Sequence, residues 1–421
     1  MNFVIENQSK SSGRIGRLEH LETETSVQTP VLLQCTKGGS IPHLSQEVFS
    51  YITQDAPILL ISLSNVNYMA DALKLYKKGI STFVGYPNSL NILTVRDVCE
   101  TTPSGFNDKD MVPLFTRRGK EPLSSEQYME LIEAISPDIY TGLYDADTNE
   151  DSSKKRVQKS VDRTEMFFNY CYEKHTTSVN LSKKSIFAPI VGGFNKFSRT
   201  LSIKKLNAKS EIAGYLLDGF HNNGLSATTV NCASLLDIVE HCMGQLDVNK
   251  PKMMIGAYTP LVVAELVRQN VDIFDSSYAY VATSNFKALT FNFDVTNVGR
   301  NKPMLEISDQ AFKEDFSPLL EDCKCEACKQ HTRAYIHHLY NTKELLGPIL
   351  LMIHNLHHYM EFFKALRMAV MEDSLSSLID LLRYQGTDKE IDYSITELPK
   401  LINKSDEKRA MFKEMATKPN Q

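Results

Sequence analysis

Residues 253–275, MMIGAYTPLVVAELVRQNVDIFD, read as one strand–helix–strand unit. Met253–Ile255 and Val271–Phe274 are short, almost wholly apolar runs, the pattern of strands covered on both faces. Between them Thr259 is placed as an N-cap and Pro260 as the first helical residue of TPLVVAELVRQNV. Runs of the same kind recur at Val31–Leu33, Ile58–Leu63, Asp138–Tyr144, Ile186–Val191 and Gly214–Leu217. Helical patterns separate them. Ser124 opens SSEQYMELIEAI with Gln127 placed to complete a capping box and Pro137 just past the end. Val157, Val161, Phe168 and Cys171 form one stripe at helical spacing. The alternation predicts an α/β fold, and seven strand runs favour a (β/α)8 TIM barrel over a doubly wound open sheet.

The pattern changes after Pro303. Strand runs stop, and a cysteine cluster is followed by a helix expected over 330–346, a Gly347-Pro348 break and a long helix over 349–371. This divides the chain into a barrel at 13–303, a helical subdomain at 304–372 and a peripheral helix with a polar tail at 373–421. Two polar stretches, 145–156 and 195–210, read as flexible loops. The net charge of −5 argues against a surface coated in basic residues for non-specific nucleic-acid binding. No apolar run approaches the roughly 20 residues that span a bilayer, and the N-terminus lacks the apolar core of a secretion signal. The expected location is cytoplasmic.

Of the eight cysteines, Cys35, Cys99, Cys171, Cys232 and Cys242 are scattered and read as small buried hydrophobes. Cys323, Cys325 and Cys328 place three thiols on one tight turn, which suits a structural zinc site wanting four soft ligands in a tetrahedron. An iron–sulfur cluster is the alternative, although it usually takes a fourth cysteine. Six downstream histidines could close the zinc shell: His331, His337, His338, His354, His357 and His358. Spacing does not choose among them, and those left over are expected on helix surfaces or at an interface. In the helix over 330–346, Tyr335, Leu339, Tyr340 and Leu345 are expected to pack into the core first and to form an interface stripe second.

CKCEACKQHTRAYIHHLYNTKELLGPILLMIHNLHHYMEFF, residues 323–363, resembles the zinc subdomain of the tRNA-guanine transglycosylases, which install queuine or its precursor in tRNA. GRIGRLEHLETETSVQTPVLLQC, SPDIYTGLYDAD and VDIFDSSYAY resemble the family's N-terminal strands, its base-recognition strand and its nucleophile strand. The resemblance covers roughly residues 13–365 and implies a (β/α)8 barrel carrying one Zn2+ per subunit. It implies the zinc ligands Cys323, Cys325, Cys328 and His354, since the family's histidine falls 26 residues after the third cysteine.

Family members exchange guanine at the anticodon wobble position, one aspartate attacking the ribose and a second moving protons. By resemblance Asp275 falls at the nucleophile and Asp145 at the base-recognition aspartate. The remaining positions depart from the family. Val95 stands where the acid/base aspartate belongs, with Asp97 two residues on. Gly192 replaces a glutamine that contacts the base. Asp218, Gly219 and Phe220 replace a Gly-Gly-Leu pocket wall, and YAYVATSN after Asp275 has lost the RNA-holding arginines. General acid–base help is worth roughly 100- to 10,000-fold, so these losses imply a member that does not turn over alone, with Asp275 and Asp145 as relics. The resemblance then implies a heterodimer with a catalytic paralogue, tRNAs for Asp, Asn, His and Tyr as substrates, a homodimer in isolation, and peripheral association with the mitochondrial outer membrane. Two other readings stay open: a self-sufficient transglycosylase using Asp275 with Asp97 or Asp145, and a barrel that binds queuine without chemistry.

Overall fold

In the computed structural model, residues 1–386 are described apart from 10, 12, 21–23, 208 and 297–301. Eight parallel strands close into a barrel: β1 (Val31–Cys35), β2 (Leu59–Ser62), β3 (Asn91–Thr94), β4 (Ile139–Thr141), β5 (Ser185–Ile190), β6 (Ile212–Leu217), β7 (Lys252–Met253) and β8 (Ile273–Asp275). Each pairs with its neighbours in chain order, and β8 closes on β1 with Ile273, Phe274 and Asp275 opposite Val31, Leu32 and Leu33. The seven expected strands are all present. The eighth is β3, whose NILT is too short and too polar at its ends to declare itself, although all four residues are buried.

The helix Pro260–Arg268 forms with Pro260 in its first turn, and Ser124 and Gln127 complete their capping box at the head of the helix Ser125–Ile135. Val157, Val161, Phe168 and Cys171 are buried along the helix Lys154–Thr177. At the floor, a three-stranded antiparallel sheet (Asn2–Ser9, Gly13–His20, Thr25–Thr29) is bound to the barrel by Arg14. Its guanidinium makes a bidentate pair with Asp272, at 2.8 and 2.6 Å, just before β8.

Several expectations are corrected. Residues 195–210 are not a loop. They hold the helix Lys196–Asn207, in which Arg199, Ser202, Ile203 and Leu206 form a buried stripe that Lys and Ser disguise. Residues 145–148 form no regular element, but they are buried rather than flexible, with Thr148 Oγ1 donating to Gly219 O at 2.7 Å. The helix expected over 330–346 is present but shorter, Arg333–Thr342, ending at Lys343 with φ +58°, and a separate short helix, Glu326–Gln330, precedes it. Gly347 and Pro348 lie in the first turn of the helix Leu346–Met371, where a missing amide costs nothing. The peripheral helix is Leu375–Gln385, and the polar tail lies outside the described residues. Strand Lys287–Leu289 pairs with Met304–Glu306, so the chain on both sides of position 303 shares one small sheet.

The helix Leu346–Met371 is buried on most of its circumference and packs on the helix Ser277–Ser284 that follows β8. Asn355 makes the joint. It donates to Thr283 Oγ1 at 2.9 Å and Lys287 O at 2.8 Å, and accepts from Leu289 N at 2.8 Å.

Candidate metal centre and barrel mouth

Cys325 is the N-cap of the helix Glu326–Gln330, and its sulfur accepts the Cys328 amide at 3.4 Å. That short turn aims three sulfurs at one point. His354 reaches the same point from the middle of the helix Leu346–Met371, and the four ligand atoms all lie within 4.8 Å of one another. The His354 Nδ1 is 3.7, 3.6 and 3.3 Å from the sulfurs of Cys323, Cys325 and Cys328. A zinc tetrahedron with Zn–S of about 2.3 Å and Zn–N of about 2.0 Å requires S···N near ~3.6 Å, which these distances bracket. His354 Nε2 lies 2.8 Å from Leu289 O. That carbonyl takes the Nε2 proton and leaves Nδ1 free to coordinate, the outer-shell arrangement typical of metal-bound histidines.

Electrostatics agree with the geometry. Burial alone lowers the His354 pKa, but the Cys323 and Cys328 sulfurs raise it to about 10. A divalent cation at the centre of so tight a group of sulfurs would offset their charge.

Among the other histidines, His357 approaches only Cys323, at 3.9 Å. His337 and His358 are buried, which corrects their expected place on a surface. His337 Nδ1 meets Ile307 O at 2.8 Å. His358 packs edge-on against Phe291, 4.6 Å between centroids, and burial lowers its pKa to about 3. The stripe on the helix Arg333–Thr342 divides. Leu339 is buried, whereas Tyr335 and Leu345 are exposed. Cys35, Cys99, Cys171 and Cys242 are buried as expected, and Cys232 is half-buried.

At the opposite end of β8 from the floor, Asp275 faces the barrel mouth but is only 3 % exposed. Its Oδ2 accepts Gly256 N at 2.6 Å, and its Oδ1 accepts Ser277 N at 2.7 Å and the Cys35 thiol at 3.3 Å. Burial raises its pKa despite these donors. Asp145 is fully buried in a two-arginine clamp: Arg156 and Arg163 both reach Oδ2 at 3.0 Å, and Arg156 also donates to Oδ1. Asp97 is bound to Lys37, to Asn65 Nδ2 at 2.6 Å and to Cys99 N at 2.7 Å. The structure therefore brings the four metal-ligand candidates together, and holds each mouth carboxylate in its own internal bonds.

Arg199, Arg96 and Tyr144, which the sequence did not single out, bind the ends of the barrel strands together. Arg199 is fully buried. It donates to Ile190 O, Gly193 O and Asp218 O at 2.7, 2.9 and 2.8 Å, and lies 3.9 Å from the Phe220 ring centroid. Gly192 (φ +137°) lets the backbone of the helix Lys196–Asn207 approach, since a Cβ there would stand 2.8 Å from the Arg199 backbone N. Arg96 crosses the mouth to Asp218 at 3.1 Å, and Tyr144 OH donates to the same carboxylate at 2.8 Å. The cavities left have volumes of about 30 and 10 Å³, far below the roughly 300–1,000 Å³ of small-molecule pockets. A cleft of about 890 Å³ opens instead at the barrel floor, among Leu73, Lys74, Lys77, Glu130 and Lys183. It contains no metal-ligand cluster, and Lys74 there offsets the negative end of its own helix. The spacing of Arg156 and Arg163, seven apart on a helical face, is a sequence signal that could have found the clamp on Asp145.

The sequence model of the family described as queuine tRNA-ribosyltransferase matches residues 9–385. The chain is 53% identical over 411 residues to the queuine tRNA-ribosyltransferase accessory subunit 2 of Drosophila pseudoobscura pseudoobscura, covering 96% of this chain and 97% of the relative. It is 54% identical over 412 residues to the protein of the same name in Drosophila erecta, with the same coverage. The protein of that name in Drosophila melanogaster is 53% identical over 412 residues, again with 96% and 97% covered.

Proposed function

This chain belongs to the queuine tRNA-ribosyltransferase family, and from that premise we propose that it is the accessory subunit of a tRNA-guanine transglycosylase, working beside a catalytic paralogue. The partner carries out the exchange of guanine for queuine. This chain contributes a folded surface for the partner and for tRNA, and performs no exchange alone.

The observation that carries the reading is the state of Asp275. A carboxylate nucleophile needs a free lone pair directed at the anomeric carbon. Three of the roughly four lone-pair sites of Asp275 accept from Gly256, Ser277 and Cys35, and the residue is buried. The two arginines on Asp145 and the packed Arg199 support the same conclusion, because a base has neither a recognition group nor room. The same packing weighs against a barrel that stores queuine.

A zinc ion fits the Cys323, Cys325, Cys328 and His354 cluster, where it serves as a structural crosslink between the turn and the long helix. tRNAs for Asp, Asn, His and Tyr are the proposed substrates of the complex, and a homodimer is the proposed state without the partner. For location we propose the cytoplasm with peripheral attachment to the mitochondrial outer membrane. Among the described residues no helix is long and apolar enough to cross a membrane, so attachment is at the surface, and subcellular fractionation tests it.

The deciding experiment measures release of labelled guanine from tRNA by the purified chain, by the partner, and by the two mixed. Exchange only in the mixture supports the reading. Turnover by this chain alone overturns it.

A further inference from the structure

The hairpin Met111–Thr116/Gly119–Ser124, inserted between β3 and the helix Ser125–Ile135, has no role in the site above. Its base is fastened to the rim of the mouth. Val112, Leu114 and Leu123 are buried beneath it, and Glu121 accepts from Asn67 at 3.3 Å. The strand-connecting segment just before it is held by Asp147, on the loop after β4, which accepts Gly105 N at 2.7 Å and also takes Asn222 Nδ2 at 2.8 Å. The tip, in contrast, faces solvent: Arg117, Arg118 and Lys120 are all exposed.

Gly119, at φ +119°, takes the one turn position that side chains avoid. Positions 117 and 118 are thereby released from conformational demand, and both are arginine. Neither makes an ion pair among the described residues. Lys120 is held with its ammonium 4.3 Å from the Phe106 centroid, and Phe115 braces that ring edge-on. Two lysines of the helix Lys196–Asn207 are instead neutralised. Lys196 is paired with Asp237 at 2.7 Å, and Lys205 with Glu165 and Asp162. On a chain of net charge −5, an anchored basic tip beside the mouth suits a polyanion.

We infer that the Arg117–Arg118 tip is a phosphate-backbone contact for the RNA of the complex, an inference that rests on the accessory-subunit reading. Phosphate contacts position RNA without reading bases, so they survive the loss of a base pocket. Arginine suits the task because its planar fork can engage a phosphate in two hydrogen bonds.

The test uses the full chain assembled with its catalytic partner and labelled substrate tRNA across a salt series. Arg117→Ala with Arg118→Ala should weaken binding about ten-fold at low salt and reduce the slope of log affinity against log salt by about two. Arg117→Lys with Arg118→Lys should retain most of the slope. Unchanged affinity and slope in the alanine pair overturn the inference. So does a loss confined to assembly of the two chains, which would make the tip a protein contact. If the wild-type chains do not assemble, the accessory-subunit reading fails on its own. The arginine pair is then judged on this chain with tRNA alone, where a loss on alanine substitution supports the contact and no change sinks it.

Discussion

Cys35 donates its thiol hydrogen to Asp275 Oδ1 across 3.3 Å, from the end of the strand that closes the barrel beside it. Burial raises the pKa of the thiol well above its usual value, so it remains a donor. With the amides of Gly256 and Ser277 on the same carboxylate, a residue at the position of a nucleophile has become part of the frame of the barrel mouth.

Asp275→Asn should therefore cost stability and not activity. The new amide would place a donor against a donor in a buried site, a penalty of about 1–3 kcal/mol. Thermal unfolding should show a midpoint lowered by several degrees, while base exchange by the assembled complex keeps its rate. A ten-fold fall in exchange with assembly intact would contradict the assignment.

Cys325→Ser removes one sulfur from the metal cluster and the acceptor for the Cys328 amide. Structural zinc binding is coupled to folding, with an apparent contribution of roughly 10–16 kcal/mol in small zinc domains. Elemental analysis should find zinc in the wild type and not in the variant. Hydrogen exchange should then rise over the turn around Cys323–Cys328 and the adjoining part of the helix Leu346–Met371. A variant that keeps both its metal and its protection would refute the four-ligand site.

Gly192→Ala tests how closely the loop after β5 packs on the helix Lys196–Asn207. The substitution brings a Cβ to 2.8 Å from Arg199 N at a φ of +137° that alanine avoids. Strain and overpacking together should destabilise the fold by on the order of 3 kcal/mol. Denaturant unfolding at the wild-type midpoint would mean that the start of the helix Lys196–Asn207 shifts aside without cost.

Lys252 sets a pH dependence at the barrel floor. Burial, and then the charge of Arg14, lower its pKa to about 7, against the opposing pull of Asp272 and Asp247. Between about pH 7 and the ordinary lysine range the unfolded chain holds a proton that the folded chain lacks, so this residue makes stability rise with pH there. Below about pH 7 both states are protonated and its contribution is flat at its least favourable value. Lys252→Met should lack that rise, so the stability of the wild type relative to the variant should grow with pH across this range. Parallel curves for wild type and variant from pH 7 to 10 would rule the effect out.

The barrel was legible in the sequence because its strands are apolar on both faces and its helices carry caps and stripes, as in 253–275. These are local signals that depend on the residues of one segment. β3 escaped because four residues carry too little pattern, and the helix Lys196–Asn207 because its buried stripe includes an arginine and a serine. The turn Cys323–Cys328 was equally local, since three sulfurs on one loop already require a metal or a coincidence. Choosing His354 by geometry was not local. His354 and His357 lie one turn apart on one helix, and only the packing of that helix against Leu289 shows which ring points at the sulfurs. The state of the mouth was likewise decided in three dimensions. The sequence shows an aspartate at 275 and at 145, but a carboxylate's chemistry depends on which donors surround it. Those donors, Cys35 and Gly256 around one and Arg156 and Arg163 around the other, are brought into place only when the barrel closes and the helix Lys154–Thr177 folds against it.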